Sequence, residues 1–211
     1  VIRALALLHR AFSRYPASHR VHILIRFLTC PFLRMLDDVP MNASVLDIGS
    51  GHALFAVLLA EERASKVLAL EPDLRKSLLP SPSTRIRKVA GYYSAVRGTF
   101  DVVVICDVAY RLTVDAQRTL FARAFALLKP GGVLLCKEMD PERRWKMSWN
   151  RLQEWLNEKL LGITLGSGVV IQTRSEVFSM LQQAGFRDVT ARAIDSGYLH
   201  PHLLYTARRS T

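Results

Sequence analysis

The run Val45-Leu46-Asp47-Ile48-Gly49-Ser50-Gly51 constrains this chain more than any other stretch. A short apolar segment ends on an acid and two glycines, and a helical pattern over residues 53–63 follows directly. A strand that passes through a glycine turn into a helix lets the backbone approach a ligand closely and aims the helix N-terminus at it. Further on, Glu71 closes the run Leu68-Ala69-Leu70-Glu71, where a carboxylate can accept the two hydroxyls of a ribose. Strand, glycine turn and acid stand in the order that a nucleoside-binding α/β unit requires.

The rest of the chain continues the alternation. Strand patterns over 44–48, 66–70, 85–89, 101–106 and 133–138 alternate with helical ones over 53–63, 74–79 and 115–127, the signature of a parallel sheet. Lys129-Pro130-Gly131-Gly132 reads as the turn that stops the third helix. The end differs: a helix over 175–184 is followed by Gly185-Phe186 and then by two strand patterns, 188–194 and 203–208, close enough for a hairpin. The expected fold is α/β, a seven-stranded Rossmann-like sheet, parallel with an antiparallel C-terminal hairpin strand. N-terminal helices precede it, with apolar residues at helical spacing over 2–15 up to Pro16 and again over 18–29.

Length and composition fit this plan. With 211 residues, half of them hydrophobic, the chain can bury a core without disulfides or metals. Cys30, Cys106 and Cys136 are odd in number and far apart in sequence, so no disulfide framework or metal clip is read from them. A reducing, cytoplasmic compartment is expected. No stretch is apolar for the ~20 residues that a spanning helix needs. The opening residues read as mature structure rather than a leader, and the absent initiator Met suggests a trimmed start.

The motifs now identify a family. Val45 to Ala53 resembles the first motif of class I S-adenosylmethionine-dependent methyltransferases, and the resemblance runs over roughly residues 43–208. Residues 100–107, ending on Asp107, resemble the fourth motif, whose strand end faces the transferred methyl. Leu127-Leu128-Lys129-Pro130-Gly131-Gly132 resembles the turn before strand five. The resemblance implies S-adenosylmethionine as cofactor, held by Asp47, Gly49, Ser50, Gly51, His52, Glu71, Pro72, Tyr92, Asp107 and Val108. Two departures stand out. Ala53 occupies the place of a third glycine, and Ala90-Gly91-Tyr92-Tyr93 lacks the acid that often meets the adenine amino group after strand three.

Acceptor chemistry is less sharply written. The sulfonium methyl is already activated, so positioning the acceptor is the main task. Candidates at strand ends are Glu138, first choice as a base, with Asp107 and Tyr110. Tyr15, Trp145, Trp149, His200 and His202 are candidates for substrate contact, the tryptophans within a helical lid expected at about 141–172. No His, Cys and carboxylate grouping has ligand spacing, so no metal is expected. Asp107-Val108-Ala109-Tyr110 is not the Asn/Asp-Pro-Pro-Tyr/Phe motif of many amino-group DNA methyltransferases, which disfavours exocyclic bases.

The domain plan is thus a basic helical cap over 1–40 and a methyltransferase domain over 41–211. Lys and Arg number 29 against 18 Asp and Glu, a net charge of +11 that predicts an anionic partner. Arginines 3, 10, 14, 20, 26 and 34 crowd the cap, opposed only by Asp37 and Asp38. An anionic membrane surface or an acidic carrier protein suits such a face better than nucleic acid, because stacking aromatics are not interleaved with it. The predicted activity is methyl transfer to a small, hydrophobic, lipid-linked or carrier-linked acceptor, in the cytoplasm or at the membrane's inner face. Two alternatives stay open: an NAD(P)-dependent oxidoreductase, whose sheet would continue with parallel strands, and a non-catalytic S-adenosylmethionine-binding module.

Overall fold

A computed structural model describes residues 1–142 and 170–210. Trp145, Trp149 and most of the expected lid lie outside the described residues. The elements are α1 (Ile2–Ala11), α2 (Ala17–Thr29), α3 (Phe32–Met35), β1 (Ser44–Ile48), α4 (Leu54–Glu62), β2 (Lys66–Glu71), α5 (Leu74–Ser77) and β3 (Ile86–Ala90). Then come β4 (Phe100–Cys106), α6 (Val114–Leu127), β5 (Leu128–Met139), α7 (Arg174–Gln183), β6 (Arg187–Ala193) and β7 (His202–Arg208).

The seven strands form one sheet in the order β3-β2-β1-β4-β5-β7-β6. All pairs from β3 to β5 are parallel, whereas β7 runs antiparallel to both β5 and β6. This is the expected terminal hairpin, and it stands where an oxidoreductase would add parallel strands. The strand order reverses between β1 and β4, and ligands of open α/β sheets bind beyond the carboxyl ends of the strands at such a point.

Side chains alternate across the sheet. Val45, Val67, Val102, Val104 and Leu135 face one core, while Leu46, Leu70, Val103, Ile105 and Leu134 face the other. Helices α6 and α7 cover the second face through Leu120, Phe121, Met180 and Leu181. On the first face α4 is unusual, for Leu54 through Ala60 are all buried. A helix apolar all round needs cover on the side away from its sheet. That cover comes from the N-terminal helices: Leu8, Phe12, Ile23 and Phe27 join the same core, and Phe32 stacks on Phe55 at 5.5 Å between ring centres.

Two boundaries differ from expectation. Helix α1 stops at Ala11, short of Pro16, because the following turn buries Phe12 and carries the Tyr15 hydroxyl to donate to the Pro80 carbonyl at 2.7 Å. Strand β5 begins at Leu128, where a turn was expected over 129–132. Leu128 pairs with Phe100 and Val133 with Val102, so the residues between are extruded as a bulge, with Gly131 at φ 75°.

Candidate functional site

The carboxyl ends of β1, β2 and β4 surround a cleft of about 470 Å³, which α2 closes on one side with His22, Ile23 and Arg26. Asp47, Gly49, Ser50, Gly51, His52, Glu71, Pro72, Tyr92, Asp107, Val108 and Tyr110 all line it. Sequence segments as much as 63 residues apart, from Asp47 to Tyr110, thus converge on one concavity.

The glycine turn is shaped by contact. Gly49 has φ 74°, and a Cβ there would stand 2.4 Å from Val108 Cγ2, so the turn can lie against the β4 loop only without a side chain. A Cβ on Gly51, at φ 57°, would meet nothing within 4 Å, so open space adjoins that residue. Ala53 also adopts the left-handed conformation, at φ 63°. The absent third glycine is therefore a matter of backbone conformation as well as helix packing, and the alanine costs about 1 kcal/mol.

Two acids face the cleft, and among the described residues no cationic side chain is bonded to either. Glu71 Oε2 accepts from the Gly51 amide at 2.8 Å and Oε1 from the Asp73 amide at 3.0 Å, which fixes the carboxylate at the end of β2. Asp47 is 2% exposed, and its Oδ2 is buried without a hydrogen-bond partner among the described residues. Burial, and then the charge of Glu71, push its pKa up to about 7. An orphaned buried acceptor beside a fixed carboxylate calls for a ligand rich in donors or positively charged. The amine, sulfonium and ribose hydroxyls of S-adenosylmethionine fit that demand.

Histidines stand on the same side. His19 Nδ1 and His52 Nε2 are 2.7 Å apart, one donating to the other, and the rings of His22 and His52 are 5.1 Å apart. Burial, followed by the charges of His22 and His19, lowers the His52 pKa to about 4. His52 is therefore neutral near pH 7.

At the β4 end the chemistry is different. Asp107, at φ 57°, is bonded by Lys137 Nζ at 2.6 and 2.8 Å and by the Arg26 guanidinium. Burial alone would raise its pKa, but the two cations outweigh burial and hold it well below the usual carboxylate range. An acid so firmly ionised is a poor general base. Its evident use is to hold Arg26 over the cleft. Neighbouring strand residues point to opposite faces, so Lys137 reaches Asp107 while Glu138 turns the other way. Glu138 Oε1 accepts from the amides of Val108 at 3.2 Å and Ala109 at 2.8 Å, and Oε2 from Tyr110 at 3.4 Å. Its carboxylate buckles the β4 loop from behind and is not among the groups that line the cleft. Burial and the charge of Asp107 raise its pKa; the amides and Lys137 oppose that rise.

The remaining candidates are placed elsewhere. Tyr15 is buried, and Lys88 Nζ donates to its hydroxyl at 3.3 Å. His202 is buried with Nε2 2.8 Å from the Thr29 carbonyl, and the ring of His200 lies 6.2 Å from it. None of the three lines the cleft. Sequence reasoning passed over Arg26, His22, Lys137 and Arg111. Arg26 was counted only as charge on a basic helix. It also missed that Cys30, Cys106 and Asp107 bring their sulfur and oxygen atoms within 4.8 Å of one another.

Comparison with known proteins agrees with this geometry. The ribosomal protein L11 methyltransferase of Thermotoga neapolitana is 28% identical over 127 residues, 53% of this chain and 47% of the relative. The chain thus spans about half the length of the curated relatives it matches. Among solved structures, the apo form of the S-adenosylmethionine-dependent methyltransferase SibL is similar at a TM-score of 0.71. It is 23% identical, over 95% of this chain and 61% of that one. Human N-acetylserotonin methyltransferase in complex with S-adenosylmethionine follows at 0.68 and 18%, over 89% and 54%. An S-adenosylmethionine-dependent methyltransferase from Thermotoga maritima reaches 0.66 at 16%, over 96% of this chain and 100% of that one. A family model described as a methyltransferase domain matches residues 19–191. The sheet order, the glycine turn and this match together make the chain a member of the methyltransferase domain family, with the fold of the class I S-adenosylmethionine-dependent enzymes.

Proposed function

We propose that the domain transfers the methyl group of S-adenosylmethionine to a small acceptor with an apolar body, reached from an anionic membrane surface. The observation that carries the cofactor half is the pair Asp47 and Glu71, one carboxylate orphaned and the other fixed by amides, at adjacent strand ends of one cleft. Glu71 takes the ribose hydroxyls, and Asp47 faces the donors of the methionine part. When bound, the cofactor supplies a methyl on a sulfonium, an electrophile ready for in-line displacement.

The acceptor enters where Asp107 to Leu112 border the cleft. Phe32, Phe55 and Leu112 give it an apolar wall, and Arg26 and Arg111 set cations at the same end. Asp107 is ionised and held by two cations. Tyr110 keeps its proton because burial raises its pKa. Both therefore orient the acceptor, and the reaction relies on placing a nucleophile that brings its own reactivity.

The membrane half rests on α2. Val21, Leu24, Ile25 and Leu28, at helical spacing along one stripe, are 45 to 56% exposed, while Ile23 and Phe27 on the other face are buried. Ile2 of α1 is 85% exposed, and Arg3, Arg10 and Arg14 of the same N-terminal segment are exposed too, Arg3 with Glu62 3.4 Å away. Apolar residues that dip below the headgroups, ringed by arginines that meet anionic lipid, are the two parts of interfacial binding. An acidic carrier protein would meet the arginines but leave the apolar stripe uncovered. No helix among the described residues is long and apolar enough to cross a membrane.

Calorimetric titration with S-adenosylhomocysteine tests the cofactor half, run beside NAD and on Asp47→Ala and Glu71→Ala. Micromolar binding that both substitutions weaken is the expected result; a folded protein that does not bind removes the reading. Turnover against lipid extracts then separates an enzyme from a module that only binds.

A further inference from the structure

Cys30 ends α2 and Cys106 ends β4, and the fold brings their sulfur atoms within 4.8 Å of each other at the inner end of the cleft. Cys106 borders the cleft, whereas Cys30 is 1% exposed directly behind it. Charges of both signs surround the pair: Lys137 and Arg26 act on Cys30, and so does the ionised Asp107, whose carboxylate oxygen lies within 4.8 Å of both sulfurs and accepts from Cys106 Sγ at 3.9 Å. Burial and Asp107 would raise the Cys30 pKa, but the hydrogen bond from Cys106 and the two cations bring it below the ordinary thiol value, while Cys106 is held above it. Two sulfurs this close, one of them more readily ionised than an ordinary thiol, are an arrangement from which a disulfide can form. Cys136, the third cysteine, is buried on the opposite face of the sheet and has no such partner.

We propose that Cys30 and Cys106 form an oxidation site, at which hydrogen peroxide converts the two thiols to a disulfide that staples the end of α2 to the end of β4 across the cleft floor. Cys30 ionises first and gives its proton to solvent. The oxidant enters by the cleft and meets Cys106, which passes its proton to Cys30 as its sulfur attacks; the O–O bond breaks, Cys106 becomes a sulfenic acid, and the departing hydroxide takes that proton from Cys30 and leaves as water. Cys30, again a thiolate, attacks the sulfenic sulfur; the S–S bond forms, the S–O bond breaks, and the hydroxide leaves as a second water with the proton returned from solvent. Two thiols and one peroxide thus become one disulfide and two waters. The sulfurs must close to about 2.05 Å. Cys30 caps the C-terminus of α2 in extended backbone, at φ −121° and ψ 133°, past the last helical residue.

The staple acts on a wall of the site. His22, Ile23 and Arg26 of α2 close one side of the cleft, so a bound nucleoside exchanges when α2 parts from the sheet. Oxidation removes that freedom, and a thiol reductant restores it. This last consequence rests on the cofactor reading above; the crosslink itself does not.

The test uses the full chain, reduced and then treated with dilute hydrogen peroxide, alkylated under denaturing conditions and mapped by mass spectrometry. A peptide pair joined through Cys30 and Cys106, with Cys136 alkylated and the pair released by dithiothreitol, is the expected result. The melting temperature should rise by on the order of 10 °C, as a crosslink closing a long loop predicts in a chain of this size. Neither change should occur in Cys30→Ala. Separately alkylated Cys30 and Cys106, or Cys106 driven to sulfinic acid while Cys30 stays free, overturns the site. Release of pre-bound S-adenosylhomocysteine should slow by roughly tenfold, since affinity differences of this kind fall mainly on dissociation; an unchanged rate in crosslinked protein overturns the gating. If the crosslink forms in a protein that never binds S-adenosylhomocysteine, the cofactor reading alone fails.

Discussion

At Asp47 a single carboxylate couples pH, stability and ligand binding. An acid whose pKa rises on folding, from an ordinary ~3.9 to about 7, favours the folded state when protonated. Stability from this group is present at low pH and is lost as pH climbs from the ordinary value through about 7. A cationic ligand prefers the ionised form, so S-adenosylhomocysteine, with its ammonium, should bind more tightly as pH rises through that window and level off above it. Asp47→Asn should flatten the profile, weaken binding by roughly tenfold at pH 8 and stabilise the unliganded protein there, because no buried charge is left unpaired. Calorimetry and thermal melts at pH 5.5, 7 and 8.5 would check all three; a profile unchanged by the substitution would sink the assignment.

Gly49 is the sharper steric case. Alanine there adds a left-handed residue, worth about 1–2 kcal/mol, and sets a methyl against Val108 Cγ2. Gly49→Ala should lower the unfolding midpoint in denaturant and loosen the Asp107 loop, which a loss of S-adenosylhomocysteine affinity would report. The role of this glycine was legible in the sequence, because an acid and two glycines after an apolar strand leave few other geometries. Arg26 was not: in a segment with five other arginines, nothing local distinguishes the one that bends inward to Asp107.

Among the elements, β4 and β5 form a buried electrostatic joint. Lys137 is 1% exposed and has Asp107 as its ion-pair partner. Removing one member of a buried pair costs about 3–5 kcal/mol when the other is left alone; because Arg26 still holds Asp107, Lys137→Met should fall at the lower end of that range in chemical denaturation. Adding Asp107→Asn to it should recover part of that loss; additive losses would refute the pairing. Because folding lowers the Asp107 pKa, its share of stability is present above the ordinary carboxylate pKa and disappears only as pH falls below it. Glu138 stands behind this joint as an acceptor for three amides. Glu138→Ala should cost about 2 kcal/mol, with Glu138→Gln in between since one oxygen still accepts. An alternating strand pattern gives the face of each residue, and Lys137 and Glu138 could be assigned to opposite sides from sequence. Which side holds the cleft depends on where the N-terminal helices pack, a long-range contact that no local pattern encodes. For the same reason the nearness of Cys30 to Cys106 was invisible, while the succession of strands along the chain and the terminal hairpin, set by local periodicity and turn residues, were readable.

For the molecule as a whole, the net charge of +11 and the exposed stripe on α2 make separable predictions. Charge alone gives binding to anionic vesicles that salt abolishes, since the Debye length shrinks from about 10 Å at 0.1 M to about 3 Å at 1 M. Inserted apolar side chains give binding that persists in salt once established. If both operate, the protein should cosediment with phosphatidylglycerol vesicles, ignore phosphatidylcholine ones, and lose most but not all of its binding when sodium chloride goes from 0.05 to 0.5 M. Leu24→Ser with Leu28→Ser should remove the salt-resistant fraction, and Arg10→Gln with Arg14→Gln the salt-sensitive one. Both pairs lie away from Asp47 and Glu71, so S-adenosylhomocysteine affinity in solution serves as the control for folding. Equal binding to neutral and anionic vesicles would leave the arginines without the role given them here. Absent binding to either, with an intact cofactor site, would mean that something other than lipid covers the α2 stripe, and would return the acceptor search to compounds free in water.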